Sequence, residues 1–277
     1  MIDLHIHTTH SDGSLTVPEL LKLAEQKGLE VIAITDHNSV GAYAELENKD
    51  VRKLFGGKII PGVEIHAMCG NHVIEVLGYN INTTKMKSIL DKNLPHDIDS
   101  FFISKISAKL SELGLDIERK SFPKLIDLQL LVFNKHKAFI EKFGDPRLTE
   151  NLRALNAFGF ANKASKLYSG IDDCYKSIEE VVSWIHACGG KAFLAHPAEY
   201  YDNAAEILET TKKTFDGIEC FHYSMNKQYS DKLVTFCRAN NLLISGGSDF
   251  HGKAKPTVEL GIGTCHPKIP RELITWL

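Results

Sequence analysis

His5-Ile6-His7 carries two imidazoles two residues apart, and in a strand that spacing points both to one face, where a single ion can reach both. Asp12-Gly13 follows in a loop. Further along, Thr35-Asp36-His37 comes directly after the apolar run Val31–Ile34, and Glu64 after Ile59–Val63. His196 ends the run Ala192–Ala195 and is followed by proline, while Asp249 and His251 repeat the two-residue spacing after Leu242–Gly247. Each has an ordinary structural explanation when taken singly: a core histidine, a turn aspartate beside glycine, a buried carboxylate with a partner. Together they are five His/Asp/Glu groups at the C-terminal ends of five expected strands, the end that carries the chemistry in barrel enzymes. Imidazole and carboxylate donors without thiolate suit Zn²⁺, Mn²⁺ or Fe²⁺, and more than four such donors argue for a multinuclear centre.

The elements that must position these groups repeat one pattern: a short apolar run, a polar stretch, then an amphipathic helix. The strands expected are Ile2–His7, Val31–Thr35, Lys58–Ile65, Val73–Tyr79, Lys191–His196, Gly217–Phe221 and Leu242–Gly246. Thr16-Val-Pro-Glu19 reads as a capping box opening a helix over Val17–Lys27, which Gly28 ends. Ser177-Ile-Glu-Glu180 opens another, and Asn226–Asn240 reads as a third. Strands alternating with helices predict a parallel sheet, and seven strands suggest an α/β barrel rather than an open sheet. From about Thr84 to Asp173 the rhythm breaks. Helices are expected at Phe101–Leu113, Lys135–Phe143 and Thr149–Tyr168 with no strand between, a mostly helical insertion over the barrel mouth. The expected division is therefore a barrel from 1–83 and 174–277 with an inserted subdomain, a lid or substrate-binding unit, at 84–173.

Composition narrows the setting. With 43% hydrophobic and 24% charged residues the chain reads as an ordinary globular protein. No apolar run approaches the roughly 18–20 residues that span a bilayer. No signal-peptide pattern opens the sequence, and the six cysteines (Cys69, Cys174, Cys188, Cys220, Cys237 and Cys265) include no C-x-x-C pair, so a reducing, cytoplasmic setting is expected. Between residues 85 and 170 there are 15 Lys+Arg against 10 Asp+Glu, although the whole chain is at −3. The middle is thus basic and the flanks acidic, which reads either as solvated helix faces or as a basic lid that draws an anionic substrate toward an acidic centre. No oligomeric signal is legible.

His5-Ile-His-Thr-Thr-His-Ser-Asp-Gly13, Ala33-Ile-Thr-Asp-His37, Pro61-Gly-Val-Glu64, Leu194-Ala-His-Pro197 and Gly246-Gly-Ser-Asp-Phe-His251 resemble, in order, the motifs of the PHP (polymerase and histidinol phosphatase) superfamily and its stand-alone phosphoesterases. The resemblance implies a distorted TIM-like (β/α)7 barrel holding a trinuclear centre of two to three divalent ions (Mn, Fe or Zn). It implies metal ligation by His5, His7, Asp12, His37, Glu64, His196, Asp249 and His251, with Glu64 bridging, and Asp36 behind His37 as the acceptor of its other ring N–H. Related chains place a histidine before a Val-Leu-Gly-Tyr-like strand; here Glu75 stands there and is expected as the ninth ligand, with His72 on the opposite strand face. Met225 stands where relatives often have a substrate-side histidine, which leaves His222 as the nearest imidazole. No Arg-containing helix of the kind those relatives place by the substrate phosphate is evident in the insertion. The implied activity is hydrolysis of a phosphomonoester, a small phosphorylated metabolite or nucleotide, by a metal-activated hydroxide. His196, His222 and Asp249 are the candidate catalytic groups, and insertion lysines or arginines would clamp the phosphate. An exonuclease acting on short nucleic acids and a histidinol-phosphate phosphatase are the alternatives within enzymes. A non-catalytic, metal-stabilised binding domain is the alternative outside them, and the near-complete ligand set argues against it.

Overall fold

The computed structural model describes residues 1–70, 72–95, 97–117, 122–261 and 269–277. These residues form two compact units, residues 1–67, 74–90 and 178–277 in one and 68–73 with 91–177 in the other. In chain order the regular elements are β1 (Ile2–Ile6), α1 (Val17–Gln26), β2 (Val31–Ile34), α2 (Ala42–Leu46), α3 (Lys49–Arg52), β3 (Lys58–Cys69), β4 (His72–Tyr79) and α4 (Thr83–Asn93). Then come α5 (Ile98–Glu112), α6 (Leu125–Lys135), α7 (Lys137–Glu141), α8 (Leu152–Ala154), β5 (Lys176–Ser177), α9 (Ile178–Ala187), β6 (Lys191–Leu194), α10 (Ala204–Thr214), β7 (Gly217–Phe221), α11 (Lys227–Ala239) and β8 (Leu243–Gly246). None of the described helices is long and apolar enough to cross a membrane.

The first unit is an α/β fold around the sheet β1-β2-β3-β4-β6-β7-β8. β1, β2 and β7 are buried along their whole length, as strands covered on both faces must be, which is why they read as apolar runs rather than alternating ones. Ile2 pairs with Val31 and Val31 with Lys58, both in parallel, and β6, β7 and β8 are likewise parallel. At the far end of this path Ile6 bridges Phe250 in parallel. There the His7 N–H donates to the Phe250 carbonyl at 2.9 Å and the Asp249 N–H to the His5 carbonyl at 2.8 Å. The first strand and the segment after the last thus lie side by side, the distorted barrel the motifs imply.

One strand departs from the expected parallel sheet. β4 runs antiparallel to β6, with Val76 opposite Leu194. Only two residues separate β3 from β4, and a parallel return needs a crossover of a dozen or more. The reversal matters for chemistry, because it brings the early part of β4, where Glu75 lies, to the end of the sheet at which the other strands finish.

The outer helices pack as their patterns predict. α1 buries Val17, Leu20, Leu21 and Ala24 against Ile6, Ile32, Ile34, Phe55 and Leu260, each large side chain contributing roughly 1.5–3 kcal/mol. Its start is tied by Glu19, which accepts from the Thr16 N–H at 2.9 Å and from the Thr16 hydroxyl at 2.7 Å.

The second unit has its own core, in which Phe102, Ile106, Leu110, Leu128, Val132, Ile140, Leu155 and Phe160 are buried together. Its helices differ from expectation in detail. The helix expected over Thr149–Tyr168 is broken into a 3₁₀ turn at Pro146–Thr149, α8, and a π turn at Leu155–Phe160. The break falls at Asn151, whose extended backbone and side chain, accepting from the Ala154 N–H at 2.9 Å, start a new helix instead of continuing the old one. The helix expected over Lys135–Phe143 corresponds to α7, and α6 precedes it, its 3.6-residue signal hidden by apolar residues on several faces.

Close packing under β1 makes one fold prediction. A Cβ at Gly247 would sit 2.2 Å from His5 Cβ and 2.3 Å from His5 N. Gly247→Ala should therefore cost about 1–3 kcal/mol of stability in urea unfolding. Gly56→Ala, whose Cβ meets nothing nearer than 3.7 Å, should stay within about 0.5 kcal/mol of the parent.

Candidate metal centre

Glu64, fully buried on β3, is the point on which the side chains converge. Its Oε2 lies 3.1 Å from His5 Nε2, 3.2 Å from His7 Nε2 and 3.1 Å from His37 Nδ1, while its Oε1 lies 3.1 Å from His196 Nε2. The two oxygens thus face different imidazoles, the disposition a bridging carboxylate needs. On one side, Asp249 Oδ1 stands 3.4 Å from His5 Nε2 and 3.2 Å from His7 Nε2. On the other, Glu75 Oε2 stands 2.9 Å from His196 Nε2. Asp12 Oδ1 meets His251 Nε2 at 3.2 Å, and Asp12 Oδ2 is 3.9 Å from His37 Nε2. Within these groups the potential ligand atoms lie within 4.8 Å of one another.

Local backbone geometry aims several of these groups. His196 and Asp249 have positive φ, +26° and +54°, which costs an ordinary residue about 1–3 kcal/mol and occurs where the surroundings over-determine it. For His196 those surroundings include its own N–H, which donates to Glu219 Oε2 at 2.8 Å. Asp3, fully buried, accepts from the Ser248 N–H at 2.9 Å and the Gly261 N–H at 2.7 Å, tying the Asp249 loop back to β1.

The partners of each ring fix what each imidazole can do. His5 Nδ1–H donates to Glu219 Oε1 at 3.0 Å, and His251 Nδ1–H donates to the Asp249 carbonyl at 2.8 Å. An acceptor on Nδ1 keeps that proton in place and makes Nε2 the nitrogen that offers a lone pair once the ring is neutral, the form a metal ligand requires. His222 is the reverse. The Ser224 backbone N–H, which can only donate, points at His222 Nδ1 at 3.3 Å, so the neutral ring carries its proton on Nε2 and donates it to Asp249 Oδ2 at 3.3 Å. His222 therefore orients Asp249, leaving Oδ1 to face His5 and His7.

Charge explains the rest. Burial acts to lower the pKa of His7, but the carboxylates of Asp249, Glu64 and Asp12 outweigh it and raise the value to about 10. His5 is likewise raised well above the usual imidazole range, Glu64, Glu219 and Asp249 prevailing over burial. At His37 and His222 burial prevails and holds the pKa near 4. Burial works to raise Glu64, but His5, His37 and His196 hold it well below the usual carboxylate range. Protons on His5 and His7 thus do the neutralising that a cation would do. Among the described residues, His5 Nε2, His7 Nε2, His37 Nδ1, Asp12 Oδ1 and Glu64 Oε2 are buried yet make no hydrogen bond. Buried polar atoms left so are rare, and donors and acceptors that face one another at such distances without bonding fit a cluster shaped for divalent ions.

All nine residues expected as ligands (His5, His7, Asp12, His37, Glu64, Glu75, His196, Asp249 and His251) are brought into these groups, and His222 joins them through Asp249. Asp36 lies elsewhere than expected. Instead of backing His37, it accepts from the Thr8 N–H at 2.7 Å and from the Thr8 and Ser11 hydroxyls at 2.7 and 2.6 Å, closing the loop after His7. Three residues carry no role in the motif reading: Glu219, Lys255 and His66. Glu219 had a signal, a carboxylate inside the buried run Gly217–Phe221 that must find a partner. Lys255 sets its ammonium on Asp249 Oδ2 and over the Tyr223 ring, 5.3 Å from the centroid. His66 lies 3.1 Å from Glu75.

The chain is similar to several known proteins. A family model described as the PHP domain matches residues 3–234. The 5′-3′ exoribonuclease Rnm of Salmonella typhimurium is 29% identical over 269 residues, covering 94% of this chain and 87% of that protein. A 3′,5′-nucleoside bisphosphate phosphatase of Chromobacterium violaceum is 26% identical over 284 residues, covering 98% and 94%. Among solved structures, an amidohydrolase from Chromobacterium violaceum with bound sulfate and no metal superposes with a TM-score of 0.68 at 25% identity, over 98% of this chain and 95% of that one.

A pH dependence follows from the raised pKa values of His5 and His7. Both rings hold a proton at neutral pH that an incoming ion must displace, so metal binding releases protons and tightens as pH rises. Calorimetric titration with Mn²⁺ should show apparent affinity rising from about pH 6 to about pH 8, by up to about tenfold per unit for each proton displaced. Affinity that is flat across that range would contradict the assignment.

Proposed function

The chain belongs to the PHP domain family, and we propose that it is a metal-dependent phosphoesterase that hydrolyses the phosphomonoester of a small phosphorylated metabolite or nucleotide. The observation that supports this most directly is the set of buried, unbonded imidazole and carboxylate atoms around Glu64. We assign His5, His7, Asp12, His37, Glu64, Glu75, His196, Asp249 and His251 as the side chains that hold two to three divalent ions of the Mn, Fe or Zn type. Ions held there would supply Lewis acidity to a water nucleophile and charge neutralisation to the phosphoryl oxygens.

The chain's own residues do the rest. Glu219 and the Asp249 carbonyl keep His5 and His251 in the ligand tautomer, so no rearrangement is needed as charge develops. His222, neutral at pH 7, holds Asp249 by its Nε2–H and serves the reaction by positioning rather than as an imidazolium acid. His196 faces two carboxylates through Nε2 and is committed to them. Lys255 supplies a cation at the edge of the cluster, and we assign it to a substrate phosphate oxygen through a charge-assisted hydrogen bond.

A second reading is favoured by one comparison, the relative named as a 5′-3′ exoribonuclease. In that reading the same centre cleaves phosphodiesters at the end of a short RNA. The products distinguish the two: inorganic phosphate from a monoester, mononucleotides from an RNA.

Protein stripped by chelation and reloaded with Mn²⁺ should release phosphate from nucleoside bisphosphates or mononucleotides. Asp249→Asn and Glu64→Gln should each lower kcat at least about a hundredfold. Folded, metal-replete protein that cleaves neither monoesters nor short RNA would refute the assignment. Lys255→Met should raise KM about tenfold with a smaller change in kcat, as expected for a group that binds phosphate equally before and during reaction.

A further inference from the structure

His66 lies two residues beyond Glu64 on β3, at the edge of the cluster. Its Nε2 is 3.1 Å from Glu75 Oε1, its ring centroid is 4.9 Å from that of His37, and Glu75 is 92% buried. Proximity alone would make it a further metal ligand, because His37, His66 and Glu75 form a group of ligating side chains by themselves. Its other ring nitrogen argues otherwise.

His66 Nδ1 is 2.9 Å from Asn38 Nδ2. The orientation of the Asn38 amide is settled by a neighbour with no freedom: the His66 backbone N–H donates to Asn38 Oδ1 at 3.3 Å. A backbone N–H cannot accept, so the oxygen of Asn38 must face it and the NH₂ must face the ring. Asn38 is itself held in the left-handed region, φ +51°, with its N–H donating to the Glu64 carbonyl at 2.7 Å. His66 Nδ1 is therefore an acceptor, and in the neutral ring the proton resides on Nε2. Were Nε2 to bind a metal, Nδ1 would carry the proton and oppose the Asn38 NH₂, and turning the amide would oppose its NH₂ to the backbone N–H.

We propose that His66 is a positioning residue: held by Asn38 with its proton on Nε2, it donates to Glu75 Oε1 and so presents Glu75 Oε2 to the ion shared with Glu64 and His196. The arrangement matches that of His222 on Asp249. It answers a specific need. A carboxylate at position 75 can rotate and can bind through either oxygen, and a fixed donor on one oxygen leaves a single lone-pair direction for the metal.

The proposal rests on the metal-centre reading above, and its test separates the two. Long-range ¹H–¹⁵N NMR of the imidazoles should show His66 as the Nε2–H tautomer in metal-free protein, unchanged on loading with Zn²⁺. In calorimetry, His66→Ala should weaken the most affected Zn²⁺ site about ten- to a hundredfold with stoichiometry at saturation, read by elemental analysis, unchanged. His66→Gln, whose amide can still donate to Glu75, should recover much of that loss. A His66 Nε2 that loses its proton when Zn²⁺ binds, or a folded His66→Ala protein with parental affinity, would overturn the proposal. If the protein binds no divalent ion, the phosphoesterase reading fails, and an Nδ1–H tautomer in the metal-free protein would still by itself overturn the role given to His66.

Discussion

A carboxylate sealed from water stays ionised only if positive charge comes to it, and Glu64 is sealed from water. Around it stand four imidazoles, and around those stand Asp12, Glu75, Glu219 and Asp249. The assembly carries more negative charge than its neutral histidines can offset, which is why His5 and His7 are driven to hold protons far above their usual range. A cluster with that demand is expensive as a structural core. Metal cations would answer the demand directly, and the family's homologues are metal-dependent phosphoesterases.

Keeping such a cluster in register takes a frame that tolerates local cost. His196 and Asp249 occupy positive φ, and Gly247 lets the chain pass against His5 where no side chain would fit. Behind these, Asp3 and Glu219 use buried carboxylates as anchors, accepting backbone and ring N–H groups rather than facing the cluster centre. Burial raises the pKa of Asp3 and its hydrogen bonds only partly offset that, so this anchor is itself a cost the fold carries. The stable parts of the barrel, such as the α1 face packed on Ile32 and Ile34, supply the surplus that holds the strained loops in place.

Much of this was legible in the residues. The strand that carries His5 and the one that leads to His37 are buried on both faces, so their apolar runs stand out in the sequence, and the helix α1 announced itself by its cap and its periodicity. The nine candidate ligands sit in short motifs whose spacing survives folding unchanged. The helical unit was harder. Asn151 looked like one more residue in a long helix until its side chain was seen capping a new one, and α6 was masked by apolar residues on more than one face. Asp36 turns to Thr8 and Ser11 rather than to His37, because adjacency in sequence does not decide which way each side chain leaves the strand end.

By itself, then, the sequence determined the donor types, the strands that bear them and the family, because those depend on local pattern and on the residues present. Only the tertiary structure decided which histidines offer a lone pair and which offer a proton. That choice is made by the partner on the second ring nitrogen, and the partner can be 214 residues away, as for His5 and Glu219, or near in sequence but defined only by a backbone turn, as for His222 and Ser224. The reversal of β4 belongs to the same class. It brings Glu75 to the ligand end from the start of a strand rather than its finish, and no rule about the C-terminal ends of strands would have placed it there.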